Sequence, residues 1–447
     1  MSARLKGENE MKKLISVALA VLIMLTVITA SAFAMTAPEE WLASYGERIK
    51  TTGKILVTPG KNETELNFTW FSGACKETLK YAPAYSGAET VTAAVKSTVS
   101  VGSGYKHTAK LSGLTAGEYT YSFTSDGTEY GEKTFTVANT DGDCTVMYCS
   151  DPQLGRSGEK NSDTSIANDA YGWEKTVTEA VGRGAGLIVC GGDQINEGFS
   201  QKQMNVFLST DKLDSVPFAG VAGNHDFYSP LYARYYASMG VPGAGNDRYF
   251  MHGNALFIII DSNNIGAPSH EVTVKKAVES NPDAKWRIVV MHHSPYSVDK
   301  DEFSNDAAGK VLTPLFDAYQ IDLVLSGHDH FYARTPATKD GKADADGTVY
   351  LQAGSASGGK CGHFSADGKD YLEFAYDVAS GDASYSMLTF GGDALTVESY
   401  ITGSETPFDT FTLTARTDRN ESPSWCFFSK IIALFVTIIN SFKSLFM

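Results

Sequence analysis

LIVCGGDQIN (187–196), FAGVAGNHD (218–226) and LVLSGHDH (323–330) decide the fold of this chain. Each is a short apolar run, the pattern of a strand buried on both faces, and each ends in glycine and then Asp, Asn or His. Two further runs, TVMYCSDPQ (145–153) and RIVVMHH (287–293), end on the same residue types. Parallel strands open their carboxyl ends into one crevice, where α/β folds hold ligands. Asp151, Gln153, Asp193, Asn224, His292, His328 and His330 are therefore expected to meet there, far apart though they lie in sequence. One such ending alone means little, because an Asp at a strand end often caps a turn and a lone His is usually ordinary surface.

Together these seven side chains suit a pair of metal ions. Two ions about 3.5–4 Å apart need a shared carboxylate and a few nitrogen or neutral oxygen ligands each. More carboxylates would neutralise the ions and weaken them as Lewis acids. Imidazole with carboxylate suits two divalent or trivalent transition-metal ions, Fe, Zn or Mn, and not Ca. Asp193 follows two glycines, can be approached closely, and is expected to bridge. His225 stands between Asn224 and Asp226. With Asn224 on metal, His225 points at substrate as general acid, and Asp226 is expected to keep it protonated. Arg156 and Lys160, in the loop after Asp151, could touch phosphate, although solvated loop charges are the plainer reading.

The 447 residues favour two or more domains. Residues 35–140 read as a small β-sandwich: Leu66, Phe68 and Trp70 alternate with Asn67 and Thr69, and Asp126-Gly127 marks a hairpin turn. From 141 to 402 apolar strand runs alternate with helical stretches such as Ala167–Val181, which predicts a layered α/β body. Residues 403–424 read as linker. At the amino end Lys12-Lys13, the apolar Leu14–Val27 and Ala32-Phe33-Ala34 have the layout of a signal peptide over 1–34. The expected location is thus secreted or extracytoplasmic. At the carboxyl end, 425–447 carries Ile431, Leu434, Phe435, Ile438 and Phe442 at helical spacing, broken by Lys430, Asn440 and Lys443. An interfacial amphipathic helix on a membrane surface fits that better than a spanning one. The net charge of −15 argues against a general nucleic-acid surface, so a phosphate must be drawn in by a local positive centre. The six cysteines show no spacing that names a disulfide pair, and Cys149 and Cys190 read as small buried hydrophobes.

The set Asp151-Pro-Gln153, Gly192-Asp193, Gly223-Asn224-His225-Asp226, His292 and Gly327-His328-Asp329-His330 resembles the metallophosphoesterase (calcineurin-like phosphoesterase) superfamily. The continuation to Tyr332, Arg334 and Thr335 looks like the purple acid phosphatase branch, and NFTW (67–70) with GLTAGEYTY (113–121) is similar to that branch's fibronectin-III-like domain. The resemblance implies that Asp151, Asp193 and His330 hold one metal, and that Asn224, His292 and His328 hold the other with Asp193 bridging. It further implies in-line attack by a metal-bound hydroxide, His225 as the acid, and no phosphoenzyme. His293 and Tyr332 then become possible substrate contacts. Two departures stand out. The position three after Asp193, a metal-binding Tyr in purple enzymes, is Asn196, and the position two after Asp151, usually His, is Gln153. Gln153 could bind through its amide oxygen, Asn196 could do so instead, or water could fill the place. In either case the iron–phenolate colour should be missing. The expected protein is an exported phosphoesterase acting on a phosphorylated small molecule or an envelope substrate, against a non-catalytic metal-binding surface protein or a metal-dependent nuclease.

Overall fold

The computed structural model describes residues 35–417 and 419, apart from 101–103, 140–141, 228, 265, 298–302, 361–368, 377 and 379–380. The expected signal peptide (1–34) and carboxyl-terminal helix (425–447) lie outside the described residues. No helix among the described residues is long and apolar enough to cross a membrane.

The sandwich has two antiparallel four-stranded sheets. One runs Ile55–Pro59, Glu65–Ser72, Gly104–Ser112, Val95–Ser100; the other runs Val91–Thr92, Leu79–Pro83, Gly117–Ser125, Thr128–Val137. Period-two alternation sends Leu66, Phe68 and Trp70 inward against Leu79, Tyr121, Phe123 and Phe135. The Trp70 indole N–H donates to the Thr124 carbonyl at 3.0 Å, which ties one sheet to the other. At the predicted hairpin Asp126 and Gly127 both take positive φ, 53° and 76°, as a tight two-residue turn requires.

The second body is two stacked sheets with helices on both outer faces. A six-stranded sheet runs Phe218–Gly220, Leu187–Cys190, Cys144–Cys149, Ser384–Gly391, Ala394–Ile401, Asp409–Thr414; its first three strands are parallel. An eight-stranded sheet has Ala255–Ile259, Trp286–Val290, Leu323–Ser326 and Val349–Gln352 as its parallel centre. The five ligand-bearing runs are thus split, three in one sheet and two in the other, and the site lies where both sheets end. Successive residues of each run serve different layers. Val146, Tyr148 and Val189 pack between the sheets against Phe257, Ile288 and Leu325. Met147, Cys149 and Ile188 face Trp173 and Phe207 of the helices Asp163–Gly182 and Gln201–Phe207. Val289 and Val324 face the helices Ala267–Ser280 and Phe303–Ala318. With both faces covered, nearly every position is apolar, which explains why the runs are continuous and do not alternate.

Two expected boundaries move. Residues 403–424 are not all linker: Asp409–Thr414 pairs along its length with Ala394–Ile401, and Arg416 and Arg419 both bond the Asp322 carboxylate. This is an edge strand, with Phe411 and Leu413 only partly buried, so its apolar signal is weak. Residues 35–50 do not belong to the sandwich. Trp41 packs edge-on to Tyr171, and Arg48 pairs with Glu174 at 2.5 Å, both partners on the helix Asp163–Gly182. Cys144, Cys149 and Cys190 are buried free thiols, with Cys149 and Cys190 side by side on adjacent strands.

Candidate metal centre

The strand ends hold their side chains through strained backbone. Asp151, Gln153, Asp193, His328 and His330 all take positive φ, from 39° to 76°. Such conformations cost roughly 1–3 kcal/mol each and persist only where the surroundings over-determine them. Here backbone bonds between the strand-end loops do so: Asp151 N–H donates to the Gly192 carbonyl at 3.1 Å and Gln153 N–H to the Asp193 carbonyl at 2.8 Å. The glycines before the ligands permit close approach. A Cβ on Gly223 would overlap the Asp193 carboxylate, and one on Gly327 would overlap that of Asp151.

Each carboxylate spends one oxygen on a backbone amide and turns the other inward. Asp193 Oδ1 accepts from His225 N–H at 2.8 Å, leaving Oδ2 3.6 Å from His292 Nε2. Asp151 Oδ2 accepts from His328 N–H at 3.0 Å, leaving Oδ1 3.6 Å from His330 Nε2 and without a hydrogen bond. The Gln153 amide nitrogen lies 3.4 Å from Asp193 Oδ2, and its Oε1 is buried with no partner. Asp151, Gln153, Asp193 and His330 are all buried. Asn224 is exposed and His328 half-buried, so the second cluster opens to solvent.

His292 shows what that second cluster is made for. Its Nδ1 lies 2.9 Å from the Gly191 carbonyl, which can only accept, so Nδ1 carries the proton. Burial, then the neighbouring His328 and His293, hold the ring well below the usual histidine range, so it is neutral and Nε2 bears a lone pair. That lone pair faces Asn224 Oδ1 at 3.0 Å, His328 Nδ1 at 3.1 Å and the Asp193 carboxylate; His328 Nδ1 is itself 2.9 Å from Asn224 Oδ1. An imidazole lone pair, an amide oxygen, a second ring nitrogen and a carboxylate gathered this closely suit a cation as a donor set. The acids show the same demand. Burial pushes Asp193 up to about 7, and burial and then the charge of Asp193 push Asp151 well above the carboxylate range. A cation between them reverses both shifts. The residues present therefore fit transition-metal chemistry, with Asp151, Gln153, Asp193 and His330 in a buried cluster and Asp193, Asn224, His292 and His328 in an open one.

The remaining predicted residues separate. His225 is beside the centre, with Nδ1 2.6 Å from the Asn196 carbonyl. The expected bond to Asp226 is not made: that carboxylate is buried and accepts from the Gln194 and Gly223 amides at 3.2 and 3.1 Å, so it shapes the two loops. Asn196 donates through its amide to Asn161 at 2.8 Å, and its side-chain oxygen has no hydrogen-bond partner. His293 packs 4.6 Å, centroid to centroid, from His328, with Nδ1 3.0 Å from the Ser262 hydroxyl. Tyr332 is corrected: it is buried, its hydroxyl bonds Asp409 at 2.8 Å, and it fastens the edge strand instead of meeting substrate. Arg156 lies within electrostatic reach of Asp193, His225 and His330. Sequence reasoning missed Lys360, whose charge reaches Asp151, Asp193, His225 and His330. It also missed Ser262, whose hydroxyl accepts from the His292 and His293 amides at 3.2 and 3.0 Å. The strand end at Asp261-Ser262 was the available signal for the latter.

Residues 145–332 match the calcineurin-like phosphoesterase family. Among solved structures, the purple acid phosphatase from yellow lupin (Lupinus luteus) seeds is similar in fold, with TM-score 0.64 at 18% identity over 80% of this chain and 74% of that one. The structure of PhoD is also similar, with TM-score 0.57 at 11% identity over 81% of this chain and 88% of that one. An uncharacterized protein of Mycobacterium tuberculosis is 33% identical over 93 residues, 17% of this chain. The match spans only 18% of the length of that curated relative. The chain thus shares its fold with these two solved structures, and residues 145–332 carry the calcineurin-like phosphoesterase match.

Proposed function

We propose that this protein is an exported, metal-dependent hydrolase of phosphate monoesters or diesters. The observation that carries the reading is the convergence of the His292, His328, Asn224 and Asp193 donor atoms, a set that suits a cation. Asp151, Gln153, Asp193 and His330 would hold one transition-metal ion, of Fe, Zn or Mn, and Asn224, His292 and His328 with Asp193 the other. Bound ions would supply Lewis acidity at the phosphoryl oxygens and lower the pKa of water. The side chains do the rest. The Asn196 carbonyl fixes the His225 Nδ1 proton, which leaves Nε2 to deliver a proton to the leaving oxygen. Burial, followed by the nearby cations, lowers the pKa of His225 despite the Asn196 carbonyl, so the ring gives up its proton readily. His293, held by Ser262, is placed to meet a phosphoryl oxygen. The net charge of −15 favours a small or envelope-borne phosphoester over nucleic acid. Export and surface contact through 425–447 rest on the sequence of the two ends.

The test is turnover of a chromogenic monoester and a chromogenic diester by metal-reconstituted protein and by His225→Ala. Metal-dependent turnover that falls at least about a hundredfold in the variant, the size of a general-acid effect, supports the reading. Bound metal with no turnover of either ester favours the non-catalytic surface protein.

A further inference from the structure

Away from the metal centre, the sandwich carries a row of hydrogen-bonded polar side chains. Ser97, on the edge strand Val95–Ser100, lies directly across from His107 on Gly104–Ser112. Its Oγ is 2.9 Å from His107 Nδ1. His107 Nε2 is 3.0 Å from Ser72 Oγ, on the next strand, Glu65–Ser72. Ser72 Oγ in turn lies 2.8 Å from Glu77 Oε1 and 3.2 Å from the Ala74 carbonyl.

The protons in this row can be assigned. The Glu77 carboxylate also accepts from the Asp126 N–H at 2.8 Å and the Thr124 hydroxyl at 2.5 Å. A carboxylate and a carbonyl only accept, so the single Ser72 proton goes to one of them. Ser72 Oγ is then the acceptor for His107 Nε2–H. His107 Nδ1 keeps its lone pair, and the Ser97 hydroxyl donates to it. Burial lowers the pKa of His107, so the ring is neutral and can take a proton. Ser97 is thus a serine bonded to a base, and the base is backed by a carboxylate through one hydroxyl. That is the order of parts a nucleophilic serine needs. His107, Ser72 and Glu77 are buried and Ser97 is half-buried, so the row opens to solvent at the serine.

The surface around Ser97 is apolar. Side chains two apart on a strand share a face, so Val99 stands beside Ser97, and it is 78% exposed. Its cross-strand partner Tyr105 is half-buried, with its ring centroid 6.5 Å from that of His107. The outer side of Val95–Ser100 has no strand partner among the described residues, and its backbone N–H groups are the kind of donor an oxyanion requires.

We propose that Ser97 is a nucleophile, with His107 as its base, that takes the acyl group from carboxylic esters with an apolar acyl chain. Ser97 Oγ bonds to the carbonyl carbon and its proton passes to His107 Nδ1. The bond from that carbon to the alcohol oxygen breaks with its electron pair on oxygen, and His107 delivers the proton there. Water then attacks the acyl-serine by the same route, which releases the acid and restores Ser97. Glu77 steadies the imidazolium through Ser72. This activity is separate from the metal-dependent one.

The experiment uses the full chain with chelator present, so that bound metal contributes nothing. A fluorophosphonate is the covalent probe, its adduct located by peptide mass spectrometry, and p-nitrophenyl butyrate and acetate are the substrates. Ser97 should carry the adduct in the folded chain and not in the chain unfolded in urea. Ser97→Ala should abolish both adduct and ester hydrolysis. Ser72→Ala keeps Ser97 and His107 but cuts the link to Glu77, and should slow both about tenfold, the size of a hydrogen bond to a charged group. Val99→Ser should lower the ratio of kcat/KM for butyrate over acetate about fivefold. Phosphoester turnover by the metal-loaded chain should be unchanged in all three variants. No adduct at Ser97 in the folded wild type, or equal labelling of folded and unfolded chain, overturns the proposal and leaves the row a structural network of the sandwich. A folded Ser72→Ala variant that labels at the wild-type rate overturns the relay to Glu77.

Discussion

At the metal centre Asp151 and Asp193 are buried beside His292, His328 and His330; at the junction between sandwich and α/β body Glu63 is buried beside His252. Burial acts alike on both. It pushes Asp193 and Glu63 each up to about 7, and it pushes His292 and His252 down, His252 to about 4. The geometry differs. Glu63 takes an N–H from Gly253 and stands 3.7 Å from the His252 Nδ1, so one acid and one ring can stay neutral together with no third party. At the centre donor atoms of two acids and three rings converge, and the His292 Nε2 lone pair faces the Asn224 side-chain oxygen at 3.0 Å. Burial of titratable groups does not identify a metal seat; convergence of unspent donors does.

The sharpest way to break that comparison is Asp193→Asn. If Asp193 is shared by both proposed seats, metal content should drop and turnover should fall by about a thousandfold or more, several kcal/mol of lost charge stabilisation; metal analysis and kinetics check it together. His225→Ala should cost about a hundredfold in turnover while metal content stays at the wild-type level, which separates the acid from the ligands. Gln153→His replaces a weak amide oxygen with imidazole in the buried seat, and chelator competition should show metal held about tenfold more tightly there, about 1.4 kcal/mol. The smallest effect belongs to the junction. The folded-state pKa of Glu63 is raised, so ionisation costs nothing below the unfolded value of 4.5, grows as pH rises toward 7, and is constant above that. Glu63→Gln should therefore be more stable than wild type at pH 8, by on the order of 1 kcal/mol, and equal to it near pH 4, with thermal melts at the two pH values as the check. Chelator should leave that difference unchanged.

Much of the centre was legible because a strand covered on both faces is written as an unbroken apolar run, and its first polar residue marks the crevice. The glycines were legible for the same reason: Gly223 and Gly327 stand where a Cβ has no room beside a carboxylate. What the sequence hid was carried by the backbone and by weak edges. The partner of His225 is the Asn196 carbonyl, and carbonyls have no signature, so neighbouring Asp226 drew the role instead. Tyr332 sits in a motif-like string but is spent on Asp409, because Asp409–Thr414 is a half-exposed edge strand that reads like linker. Lys360 follows a run of glycine and serine with no periodic pattern, and its loop is tied to the centre by Ser355 and Ser357, which donate to the Asp151 and Pro152 carbonyls. The division of the five runs between two sheets was equally hidden, since each strand reads the same in either sheet.

Transition-metal analysis of the purified protein after exposure to Fe, Zn or Mn, with Asp193→Asn alongside, decides whether the converging donors bind metal. The wild type should hold about two ions per chain and the variant fewer. A folded wild type that retains no stoichiometric metal would contradict that expectation.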